Sequence, residues 1–183
     1  TVNSCNDHDH SPGRWDKPGI AVIGEDGEPT QEVRDIFALV RQYDAVLATG
    51  HTTAQEHHAV VKAFAREGKV LVTHAGEALG GPNLSAAQAK ELADLGATVE
   101  LTAECCVQVF GRPPKSAKKM AEQIATIGHE RCTLSSDYGW SKIVPRPVPG
   151  LKEFLERLWE VGVSEEQLNR MVAAKPAELL GIG

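Results

Sequence analysis

The chain has no Cys-x-x-Cys spacing, no uninterrupted apolar segment of membrane-spanning length and no excess of basic residues. Each absence closes a class. The four cysteines (Cys5, Cys105, Cys106, Cys132) offer no framework of paired spacings, and adjacent Cys105 and Cys106 are poorly placed to pair with each other. Free thiols in a reducing, cytoplasmic setting are therefore expected. Without a long apolar run no transmembrane helix is predicted. A net charge of −6 argues against a general binder of nucleic acid or anionic membrane, since both call for a basic face. The opening residues, Thr1-Val2-Asn3-Ser4-Cys5-Asn6-Asp7, do not resemble a signal peptide, and there is no initiator methionine. The expectation is a chain from which residues have been removed, or a piece of a longer protein.

What is present is the composition of a soluble globular domain: 183 residues, 42% hydrophobic and 24% charged. Residues 1–29, rich in Gly, Pro, Asp and His, read as a loop-rich segment with a small hairpin from 20–23 across Asp26-Gly27. From Thr30 the pattern alternates. Val33, Ile36, Phe37 and Val40 predict a helix over 30–43, and 45–49 is a strand. A helix capped by Thr52 or Thr53 runs to Gly68, and strand 69–73 follows. Ser85 caps helix 86–95, then come strand 97–102, a loop over 103–114, helix 115–127 and strand 131–135. Helices over 150–161 and from Ser164 close the chain. Strands alternating with helices mean βαβ units and an α/β fold with a parallel sheet, here over 30–183. Four strands are about half of a closed eight-stranded barrel, which takes about 250 residues.

Three of the strand-like runs end in a metal-ligand residue type: Ala48-Thr49-Gly50-His51, Val72-Thr73-His74 and Ser135-Ser136-Asp137. Carboxyl ends of parallel strands open on one face, where sites are built. A His at a strand end can simply bond a loop, and an Asp before a turn can cap a helix. Three at equivalent positions in successive units favour a site: two imidazoles and a carboxylate suit a catalytic metal with an open position for water. A divalent metal would bring the pKa of that water toward ~7, and Asp137 could ligate and also take the proton.

Other residues are more ambiguous. His8 and His10 form a His-x-His pair and are further candidate metal ligands, since i, i+2 spacing puts both rings on one side of an extended strand as in the opening of a binuclear site, although their neighbours read as a solvated loop. Glu100 lies inside a strand, where a carboxylate must pair, ligate or face outward. Glu104 is less constrained. His57 and His58 on a helix and His129 in a turn are expected to face solvent. Lys115, Lys118 and Lys119 read as a solvated helix face. Tyr138, Trp140 and Lys142 follow Asp137 at the mouth of the site and are candidate substrate contacts. Thr1 could serve as an N-terminal nucleophile, or be whatever a truncation leaves.

With these residues placed, the chain resembles the C-terminal half of an amidohydrolase-superfamily metal-dependent hydrolase, and more narrowly an uncharacterised amidohydrolase-like branch of cytosolic proteins. The motifs are those of His51, His74 and Asp137 together with Lys175-Pro176-Ala177-Glu178-Leu179-Leu180-Gly181, similar to a tail that closes many such barrels. The resemblance implies strands five to eight of a TIM-like (β/α)8 barrel. It makes His51, His74 and Asp137 the metal ligands of the fifth, sixth and eighth strands, with Asp137 also catalytic. It implies a zinc ion, with manganese or iron as alternatives, and metal-activated water attacking an amide, ester or phosphoester of a small molecule. The His-x-His pair of the family's first strand has no counterpart at the right place in the order, since His8 and His10 come too late. A homo-oligomer, or a missing N-terminal half or partner chain, would complete the barrel. The alternative is a non-catalytic binding or regulatory module.

Overall fold

The computed structural model describes residues 21–78, 81–108, 111–139 and 144–182. Its frame is a sheet of four parallel strands, β1 (Val46–Ala48), β2 (Lys69–Val72), β3 (Thr98–Thr102) and β4 (Cys132–Ser135), in the order β1-β2-β3-β4. Helices α1 (Gln31–Gln42), α2 (Ala54–Phe64), α3 (Ala86–Asp94), α4 (Ala117–Ile127) and α5 (Pro147–Glu160) alternate with them. A last helix comprises α6 (Glu165–Asn169), a π-helical stretch (Arg170–Ala174) and α7 (Lys175–Leu180). This is the expected α/β architecture, a partial TIM-like barrel.

Local chemistry sets the boundaries. Thr30, Thr53, Ser85, Ser116 and Ser164 each accept a hydrogen bond from the backbone N–H three residues on, and Glu56, Gln88 and Gln167 reciprocate in capping boxes. Three expectations shift. Helix 115–127 starts at Ala117, because Ser116 is its cap, and this leaves Lys115 outside it, half-buried and donating to Gln123 Oε1 at 2.9 Å. Loop 103–114 contains a 3-10 turn, Ala103–Cys106. The helix expected from 150 starts at Pro147, since a first-turn proline gives up no hydrogen bond. The hairpin closes at Gly27 (φ 76°), with Gly24 N–H donating to Glu28 O at 2.9 Å and Thr30 N–H to Val22 O at 3.1 Å.

Pairing register puts Leu47 beside Val70, Val72 beside Val99, Val99 beside Cys132 and Leu101 beside Leu134. These residues share one face, and from Val70 onward they are 0–4% exposed. The core lies between that face and the helices. Phe64, fully buried, stacks on Phe37 with ring centroids 4.7 Å apart, joining α1 to α2. The opposite face carries Leu71, Thr98, Glu100, Thr102, Thr133 and Ser135, the side that a closed barrel would turn inward. Among the described residues no helix is long and apolar enough to cross a membrane.

Candidate active site

The site is built at the carboxyl ends of the strands. Thr73 N–H donates to Thr49 Oγ1 at 3.0 Å and Gly50 N–H to Thr73 Oγ1 at 3.1 Å, so the ends of β1 and β2 are laced together. Gly50 (φ 67°) and His74 (φ 35°) both take left-handed backbone, which turns the chain just past each strand. The imidazoles of His51 and His74 are thereby stacked, with centroids 4.6 Å apart and planes 14° from parallel. His74 is 4% exposed, and neither of its ring nitrogens has a hydrogen-bond partner among the described residues. Burial holds its pKa below the ordinary histidine value, against the pull of Glu100 and Glu77.

Glu100 projects from β3 and links three strands. Its Oε2 accepts from His74 N–H at 3.0 Å and its Oε1 from the Ser135 hydroxyl at 2.9 Å. Asp137, two residues beyond β4, also has left-handed backbone (φ 52°). Its pKa is pushed up to about 6, first by desolvation and then by the charges of Glu100 and Glu77. A carboxyl in that range exchanges protons near neutral pH.

A second layer of charge surrounds these groups. Arg112 donates from Nη1 to Glu77 Oε1 at 2.6 Å and from Nη2 to both oxygens of Glu104 at 2.8 and 3.0 Å. Glu77 and Glu104 are 4% and 2% exposed. Glu77 Oε2 also accepts from Gly81 N–H at 2.9 Å, so one guanidinium ties the loop after β2 to the segment after β3. Desolvation raises the Glu104 pKa, Arg112 opposes it, and Glu77 and Asp137 add to the rise.

The predicted residues fall as follows. His51, His74 and Asp137 stand at one end of the sheet, Glu100 faces them, and half-buried Tyr138 packs close over Gly150. Among the described residues no three His, Cys, Asp or Glu side chains converge closely enough to hold a metal ion. The donor chemistry fits a divalent cation in kind, because two imidazoles and a carboxylate share this end of the sheet and the buried ring nitrogens of His74 are unpartnered among the described residues. His8, His10, Trp140, Lys142 and Thr1 lie outside the described residues.

Two expectations are corrected. His57 is fully buried, because the first turn of α2 points into the core and its Nδ1 is bonded to Thr52 and Thr53. Glu104 is tightly held by Arg112 rather than loosely constrained. Glu77 and Arg112 were invisible to motif reading. Glu104 had a signal: it stands two residues past β3, as His74 does past β2 and Asp137 past β4.

Comparison with known proteins bears on the fold. A family model described as a family of unknown function, DUF6282, matches residues 1–100. No curated protein matches the sequence. Among solved structures, an amidohydrolase from Burkholderia multivorans with bound HEPES superposes with a TM-score of 0.63 at 15% identity, over 84% of this chain and 59% of that one. The same description with bound zinc gives 0.60 at 15%, over 93% and 67%. The dipeptidase AC, a metallopeptidase of family M19, gives 0.64 at 18%, over 87% and 49%. At these identities the likeness is one of fold, and it relates the chain structurally to the amidohydrolases. The chain spans about half to two thirds of the length of these structures.

Proposed function

The chain belongs to the DUF6282 family, a family of unknown function, and we propose that it is a metal-dependent hydrolase acting on an amide, ester or phosphoester of a small molecule. The observation that carries this reading is the pairing of stacked His51 and His74, the latter buried with unpartnered nitrogens, with a carboxyl raised to about 6 at the same end of the sheet. Likeness in fold to a zinc-bound amidohydrolase and to a metallopeptidase supports it.

In this reading His51, His74 and Asp137 would hold the ion, and the two imidazoles favour zinc, with manganese or iron as alternatives. A bound ion would supply Lewis acidity to activate water. Asp137 accepts the proton of the attacking water and returns it to the leaving group. Glu100 orients the His74 backbone and Ser135, and Arg112 bridges Glu77 and Glu104 beside the site. Tyr138, half-buried beside Asp137, contacts substrate. Three free thiols, Cys105, Cys106 and Cys132, suit a reducing cytoplasm.

The experiment is native mass spectrometry in chelator-free buffer with a hydrolase substrate panel. The expected result is one or two divalent ions per complete site, lost in His74→Ala, and turnover abolished in Asp137→Asn with folding intact. Undiminished turnover in Asp137→Asn would remove that residue from the mechanism. A second reading, a binding or regulatory module without turnover, or a half-site completed by a second copy or partner chain, is favoured by the absence of a three-donor cluster among the described residues. A metal-free, monodisperse monomer of normal stability would select the binding module.

A further inference from the structure

We infer that Arg112 is the positioning residue of this site: its guanidinium fork holds the loop packed on His74 and the segment leading into Asp137 in one fixed relation. The inference rests on the ligand roles proposed for His74 and Asp137, and adds a residue that acts through two others.

The sheet alone does not place either ligand. Pairing of β3 with β4 runs as far as Thr102 and Ser135, and pairing of β2 with β3 as far as Val72 and Val99. His74 and Asp137 each stand two residues beyond a strand, in left-handed backbone (φ 35° and 52°). Residues other than glycine hold that conformation only with support around them.

The support converges on one side chain. Arg112 Nη1 donates to Glu77 Oε1 at 2.6 Å, and Glu77 Oε2 accepts from Gly81 N–H at 2.9 Å. Glu77 N–H donates in turn to the His74 carbonyl at 2.9 Å. Gly81 is thereby pressed onto His74, where a Cβ would meet the ring Nδ1 at 2.8 Å and the carbonyl oxygen at 2.9 Å. On the other branch, Arg112 Nη2 donates to both oxygens of Glu104 at 2.8 and 3.0 Å. Glu104 N–H donates to the Ser136 carbonyl at 3.1 Å, and Ser136 Oγ accepts from Tyr138 N–H at 3.3 Å, closing a turn around Asp137. A planar fork fixes both the distance and the angle between two carboxylates, which a lysine ammonium, a point charge, does not. Groups behind the ligands set ligand geometry in this way, and their loss typically costs about 10–100-fold in metal affinity.

The test combines amide hydrogen exchange and His74 ring resonances by NMR in the metal-free chain with zinc binding by calorimetry. It compares wild type, Arg112→Lys, Glu77→Gln and Phe37→Leu. Lysine keeps the charge without the fork, and glutamine offers one acceptor oxygen where Glu77 offers two. Phe37→Leu loosens the packing of α1 on α2 and controls for lost stability alone. In Arg112→Lys the Gly81 and Glu104 amides should exchange about tenfold faster relative to Val99, and the His74 resonances should shift. In Glu77→Gln only the Gly81 and His74 signals should move. The zinc Kd should rise about tenfold in Arg112→Lys and less than about twofold in Phe37→Leu. Unchanged Gly81 and Glu104 exchange in Arg112→Lys, or the same pattern in Phe37→Leu, would overturn the inference. So would an unchanged zinc Kd in Arg112→Lys. If Arg112→Lys does not fold, Glu77→Gln decides, and unmoved Gly81 and His74 signals there overturn it. Expected exchange and shifts in a wild type that binds no zinc would keep Arg112 as the clamp and remove only the ligand roles of His74 and Asp137.

Discussion

The two faces of the four-stranded sheet differ in almost every physical respect. On the helix-covered face Val72, Val99 and Cys132 are fully buried, and Val70, Leu101 and Leu134 nearly so. On the other face Ala48 is exposed, Leu71, Glu100 and Ser135 are half-buried, and three threonines replace aliphatics. Both faces come from the same strands, one residue out of step. The apolar face holds the fold together, and the polar face delivers side chains toward the site. Stability and chemistry are thus separated by strand parity, and substitutions on the two sides should behave differently.

The largest contrast is expected between Leu101→Ala and Leu71→Ala in urea denaturation. Truncating Leu101 on the sealed face should cost about 2–5 kcal/mol, and half-buried Leu71 about 1 kcal/mol. Equal losses would mean that the two faces are not distinct in packing.

Next is Arg112→Ala, which leaves Glu77 and Glu104 buried without their counter-charge and should cost about 3 kcal/mol. Adding Glu104→Gln to the same chain should restore part of the loss. A double variant no more stable than the single would show that Arg112 acts through something other than this bridge.

Acid should expose His57. Its pKa falls from 6.5 to about 4 on folding, so between those values the unfolded chain binds the extra proton. Its contribution is therefore full above pH 6.5 and lost as pH falls toward 4, about 3 kcal/mol in all. Melting curves of wild type and His57→Phe across this range should converge on acidification, and parallel curves would rule this origin out.

The smallest effect has the opposite sign. Asp137 is raised to about 6, so the folded state holds the extra proton between pH 3.8 and 6, and stability falls as pH rises through that window. With solvent screening of this partly exposed group, Asp137→Asn should gain about 1 kcal/mol at pH 7 while losing turnover. A destabilised Asn variant would show that the carboxylate is better accommodated than its burial suggests.

Periodicity and caps made the architecture readable before any coordinates. Val33, Ile36, Phe37 and Val40 announced α1, and Thr53, Ser85 and Ser164 marked helix starts where they lie. The strand ends pointed to His51, His74 and Asp137 because a parallel sheet turns residues at its carboxyl edge toward one place. What stayed hidden depends on contacts between loops distant in sequence. Arg112 sits 35 residues from Glu77, in a stretch with no periodicity, and nothing local marks it as the bridge. His57 departs from the expectation for a polar residue in a first turn, which ordinarily faces water, because two threonines satisfy one edge of its ring and make burial tolerable.

The strand order has a consequence for how the molecule comes into being. Among the described residues β2, β3 and β4 each pair with the strand synthesised just before them. A sheet of this kind can grow by one βα unit at a time, each docking on a finished neighbour with only a short loop to close. His51 and His74 come together as soon as the second unit docks, and Asp137 joins only with the fourth. The candidate site is therefore assembled only with the fourth unit, and a chain stalled after α3 already holds the stacked imidazoles without Asp137.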